Sequence, residues 1–75
     1  MKEIIEKLTD DELFQLVEEL ELLAIPEDAL IRKIIIEGFG GVNIITLQIQ
    51  ILMPYITFAL ADRLKFYKNI YIVHD

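Results

Sequence analysis

The sequence contains no cysteine and no tryptophan, a single histidine, and no aspartate, glutamate, lysine, arginine or histidine over the 24 residues from Gly38 to Ala61. Each absence excludes something. Without cysteine there is no disulfide and no thiolate zinc site to staple a small fold. The one histidine, His74, stands beside the C-terminal residue. No Glu-x-x-His or carboxylate–histidine constellation is built around it on a helix. With no serine either, nucleophilic catalysis has almost no material. The expectation is a protein that is not an enzyme and has no catalytic residue, no cofactor and no metal. Glycine and proline are scarce, at three and two residues, and each marks a break in the pattern.

What is present is apolar side chain and acid. Hydrophobic residues make up 55% of the 75 residues, more than one small core comfortably hides. A chain this short buries only about 60% of its unfolded surface, so a monomer is marginal. The surplus therefore predicts burial between chains, as a homo-oligomer (a dimer or larger), or against a protein partner. The formal charge of −6 is unevenly placed: residues 1–37 hold eleven acids and four bases, residues 38–75 two acids and three bases. An acidic balance argues against direct nucleic-acid binding, which needs a basic stripe to displace counterions. It suits a partner with a basic surface, or mimicry of nucleic acid by Glu18, Glu19 and Glu21, or simply the solubility of a very apolar protein.

The clearest element is a helix over Thr9 to Ile25. Thr9 and Glu12 form a Ser/Thr-x-x-Glu capping box. Asp10 and Asp11 fall in the first turn, where the helix dipole favours negative charge. Leu13, Leu16, Val17, Leu20, Leu23 and Ala24 recur at the spacing of one helical face. Ahead of it, Ile4, Ile5 and Leu8 have helical spacing in a shorter piece. Pro26 ends this helix and is read as the first position of the next. That next helix has Leu30, Ile31, Ile34 and Ile35 on one face, with Asp28–Arg32 and Lys33–Glu37 as i,i+4 pairs. Gly38 is the expected C-terminal cap, followed by a turn at Gly40-Gly41.

The charge-free segment admits two periods. Ile45, Leu47, Ile49 and Ile51 alternate with Thr46, Gln48 and Gln50 as in a strand. At helical period, Asn43, Thr46, Gln50 and Thr57 share one stripe and only Gln48 is misplaced. Length favours the helix, since strands usually run five or six residues. The expectation is one apolar helix over 42–68, kinked or divided by Pro54. A transmembrane span near 42–61 is the alternative, being long enough to cross a bilayer and followed by Arg63, Lys65 and Lys68. Asn43, Gln48, Gln50 and Pro54 weigh against it. Gly38-Phe39-Gly40-Gly41 lacks the lysine and hydroxyl of a phosphate loop.

The sequence thus predicts a small all-α fold of three or four helices in a single domain. Acidic helices occupy 1–37, a glycine turn 38–41, the long uncharged third helix 42–68 and a short tail 69–75. It is expected to pack in a homo-oligomer. Gln48, Gln50, Tyr55, Tyr67 and Tyr71 are the interface candidates, because amides pair across a boundary and a tyrosine hydroxyl suits a half-wet one. Glu18, Glu19 and Glu21 are the acids expected to face a partner. No leader with a cleavage site is legible, so the expected location is the cytoplasm. The expected role is that of a regulator, adaptor or inhibitor of another protein.

Overall fold

In the computed structural model the backbone is described for residues 1–72 and the side chains for residues 1–65. Four helices follow one another: α1 (Lys2–Glu6), α2 (Asp10–Leu20), α3 (Leu30–Phe39) and α4 (Ile45–Ile72). No strand occurs among the described residues. The long uncharged helix is therefore the fourth rather than the third, and the helical period of 45–51 prevails over the alternating one.

The start of α2 is the one its sequence implies. Thr9 accepts the Glu12 N–H at 3.1 Å through its hydroxyl, and Glu12 accepts the Thr9 N–H at 2.9 Å. Its end is not. The helix stops at Leu20, five residues short of Ile25. Pro26 disfavours helical backbone at residue 25. The stretch from Glu21 to Ala29 is then the return leg that lays α3 against α2.

Helix α3 differs at both ends. Pro26 lies outside it. Its carbonyl accepts the Ala29 N–H in a turn, and the helix begins at Leu30. The N-cap is Ala29, which has no side chain able to accept the first N–H groups. Gly38 is inside the helix, and the cap is Gly40 at φ +82°. That left-handed conformation is where glycine, free of a Cβ, is least strained. The Gly40 N–H closes the helix on the Ile36 carbonyl at 2.9 Å.

Helix α4 runs unbroken through Pro54. Proline removes the hydrogen bond to the carbonyl four residues earlier, that of Gln50. Pro54 and Gln50 are both exposed, so water can take the partner's place. The helix rests on α1 and α3, while α2 packs on α3. Ile5, Leu13, Leu16, Ile31, Ile35, Leu52 and Ile56 are fully buried where the four helices meet. At 1.5 Å per residue, a helix of this length spans about 42 Å, and it sets the longest dimension of the molecule, 49 × 23 × 17 Å. The radius of gyration, 13.9 Å, exceeds the roughly 11 Å of a compact chain of this length.

Candidate interaction surface

Three polar side chains fix the helices relative to one another, and they decide which surfaces are left outward. The first is Glu19. Its carboxylate accepts the Leu30 and Ile31 N–H groups at 2.8 Å each and the Gln15 amide at 3.1 Å. The first N–H groups of a helix have no partner within it, and the N-terminal dipole favours an anion. Glu19 thus performs from α2 the capping that Ala29 cannot. It is 8% exposed. The sequence placed Glu19 with Glu18 and Glu21 as partner-facing acids. Glu18 and Glu21 are exposed, but Glu19 is committed inside the fold.

The second is Gln48. It donates to the Gly41 carbonyl at 2.9 Å and accepts the Asn43 N–H at 3.1 Å. It is 6% exposed. The one amide misplaced in the helical stripe is therefore the one that locks the α3–α4 loop, not a side chain held ready for another subunit. The third is Arg63, which donates to the Asp10 carboxylate at 2.7 Å and to the Leu8 carbonyl. It ties α4 to the junction of α1 and α2. Arg32 also departs from expectation: its guanidinium donates to the Ile25 carbonyl at 2.9 and 3.2 Å, bracing the return leg.

With these ties made, ten apolar side chains are buried and ten large ones remain outward among the described residues. Ile44, Leu47, Ile51 and Phe58 expose 52–68% of their surface at spacings of three, four and seven. That is the a/d spacing of a coiled-coil heptad. Pro54 and Ala61 occupy the intervening d positions and are exposed as well. Leu52, Ile56 and Ala59 point to the opposite side, into the core. Helix α4 therefore carries two apolar seams, one covered by its own chain and one bare. Gln50 is exposed and Tyr55 half-buried; they flank the bare seam at heptad positions g and e. The side chains of Tyr67 and Tyr71 lie outside the described ones, as does His74.

A second apolar feature lies between α2 and α4. Leu13, Phe14, Leu60 and Leu64 line a groove of about 260 Å³ together with the Asp10–Arg63 pair. Phe14 and Leu64 each expose 58%. On the opposite flank of α4, Tyr55, Phe58 and Asp62 face Lys2 and Glu6 across a more polar groove. Reading the sequence for polar interface residues missed the bare seam. The heptad of Ile44, Leu47, Ile51 and Phe58 was there to be counted, beneath the alternation of Ile45, Leu47, Ile49 and Ile51.

Among the described residues no group of three histidine, cysteine, aspartate or glutamate side chains is placed to hold a metal ion. The chain matches no protein-family model, no curated protein and no solved structure.

Proposed function

We propose that this chain is a small protein-interaction module without enzymatic activity, a regulator, adaptor or inhibitor of another protein, working from an oligomeric helical body. The observation that carries the reading is the bare seam of Ile44, Leu47, Ile51 and Phe58. Apolar side chains aligned along one face mark a contact site in soluble proteins, whereas scattered ones need no explanation. The groove of Phe14, Leu60 and Leu64 supplies a second surface, and the exposed acids of the first half suit a partner with basic character.

One observation favours a membrane span instead. Ile45–Lys65 has a mean hydropathy of 1.3 and only 22% of it is buried, too little for an ordinary core helix. Two ties oppose it. Gln48 is bonded to the α3–α4 loop and Arg63 to Asp10 and Leu8. These anchor points are 15 residues apart, about 22 Å of helix. Inserting that stretch would draw the acidic α1 and the start of α2 into hydrocarbon beside it, at a cost of about 2.5–3.5 kcal/mol for each charged residue near the midplane.

The test is a purification without detergent followed by capture from a lysate of the source cells. The chain is expected to stay in the soluble fraction and to retain a defined protein partner. Phe14→Glu or Leu64→Glu is expected to reduce that capture at least tenfold. Recovery only in detergent, or capture of nothing above the background of a scrambled control, overturns the reading.

A further inference from the structure

We infer that the bare seam of α4 is covered by a second copy of this chain, with the two α4 helices antiparallel. The inference rests on the interaction-module reading and names the occupant of one of its surfaces. Area is the first argument. The chain exposes 5612 Å², whereas a compact monomer of 8.7 kDa exposes about 4,700 Å². The excess is about 900 Å², and the outward side chains of Ile44, Leu47, Ile51 and Phe58 contribute to it. One side of a standard protein interface covers about 800 Å².

The pattern of sizes along the seam is the second argument. In an antiparallel pair each a position meets a d position of the other helix. Setting Ile51 against Pro54 of the second copy places Leu47 against Phe58 and Ile44 against Ala61. Each layer then combines one larger side chain with a smaller or more slender one, and every exposed apolar residue from Ile44 to Ala61 on this face is covered. No other antiparallel register of whole heptads covers all six positions. The contact is short, about two and a half turns either side of the two-fold axis.

Charge decides the direction. Lys65 is the next a position after Phe58, exposed on the same face. In a parallel pair it would lie opposite its own copy. In the antiparallel pair the two Lys65 side chains lie at opposite ends of the contact, away from one another. The α4 dipoles also oppose one another only in this orientation.

Light scattering on a sizing column, without detergent, is expected to give twice the 8.7 kDa of one chain. Ile51→Glu is expected to give the monomer with its helical circular dichroism retained. Orientation is read separately, because the natural chain has no cysteine. Leu47→Cys and Phe58→Cys chains, mixed and oxidised with glutathione disulfide, are expected to form a 47–58 cross-link. Either variant alone is expected to form none. In the antiparallel register, like positions lie roughly 16 Å apart along the axis, beyond the ~6 Å reach of a disulfide. A monomeric wild type, a dimer indifferent to Ile51→Glu, or efficient self-linking of Leu47→Cys overturns the inference. The two readings fail apart: a monomer that still captures a partner removes the second copy alone, whereas a dimer that captures nothing removes the module alone.

Discussion

The Glu19 carboxylate accepts the backbone N–H of Ile31 at 2.8 Å. Its other oxygen takes the N–H of Leu30 at the same distance. A helix that opens with alanine is thereby capped by a neighbouring helix eleven residues back in the chain. The arrangement is both an electrostatic and a topological device, since it fixes the α2–α3 pair by the same bonds that start α3.

Glu19→Ala is accordingly expected to be costly. It leaves two helix N–H groups without their anion in a nearly buried site. Hydrogen bonds to charged groups contribute about 1.5–3 kcal/mol, and loss of a helix cap about 0.5–2 kcal/mol. We expect a loss of about 2–3 kcal/mol in urea unfolding at unchanged m. Glu18→Ala and Glu21→Ala, both at exposed positions, are expected to fall within about 0.5 kcal/mol of wild type. Equal effects at all three positions would refute the capping role.

Gln48 offers a second contrast. Gln48→Leu keeps the volume but strips the Gly41 carbonyl and the Asn43 N–H of their partner. An unsatisfied buried polar group costs about 1–3 kcal/mol. Gln50→Leu, on the exposed side of the helix, is expected to change stability by less than about 0.5 kcal/mol. Hydrogen exchange checks the mechanism: the Asn43 amide is expected to exchange much faster in Gln48→Leu, while α2 amides far from the loop stay protected.

These two residues also show how far the sequence was legible. The helical character, the capping box at Thr9 and Glu12, and the placement of Leu13, Leu16, Ile31, Ile34 and Ile35 in the core follow from local spacing, which a helix enforces within four residues. The contacts of Glu19 and Gln48 run between elements, which local spacing does not report. A run of Glu18, Glu19, Leu20 and Glu21 gives no local sign that one acid turns inward to a helix that has not yet begun. Gln48 stood out as the amide off the polar stripe, and that misfit was the signal. Pro26 and Gly38 each satisfied a valid local rule for a helix boundary, yet the boundaries lie four and two residues further on. The reach of Glu19 sets one, and the φ +82° available at Gly40 sets the other. The bare seam was hidden for a different reason. Apolar residues cover most of α4, so composition alone cannot separate the face that meets the core from the one left outside.

Arg63 is expected to tolerate neither truncation nor lysine. Its guanidinium bonds the Asp10 carboxylate and the Leu8 carbonyl together, and a single ammonium cannot reproduce that fork. The pair is partly exposed, with 23% of the Arg63 side chain and 47% of the Asp10 side chain open, so the ionic share is small and screened by salt. The carbonyl bond is the larger share. Arg63→Lys and Arg63→Ala are each expected to cost about 1–2 kcal/mol, with little change between 50 mM and 500 mM NaCl. A loss that vanished in high salt would assign the whole effect to the surface ion pair.

The cap of α3 separates two glycines that the sequence alone did not. At Gly40 an added Cβ meets no atom within 4 Å, but the backbone holds φ +82°. An L-residue there is strained by about 1–2 kcal/mol. At Gly38 the backbone is helical, and the added Cβ would lie 2.8 Å from Met1 Sδ and 3.1 Å from its terminal methyl. Both atoms are the far end of a flexible side chain and can move aside. Replacing a glycine within a helix with alanine also recovers up to about 1 kcal/mol of helix propensity, less in a last turn such as this one. Gly40→Ala is therefore expected to lower the urea midpoint and Gly38→Ala to hold or raise it. Met1→Ala combined with Gly38→Ala removes the remaining contact as an explanation. If Gly38→Ala in that background were still the more damaging change, the helix would end at Gly38 and the left-handed cap at Gly40 would be wrong.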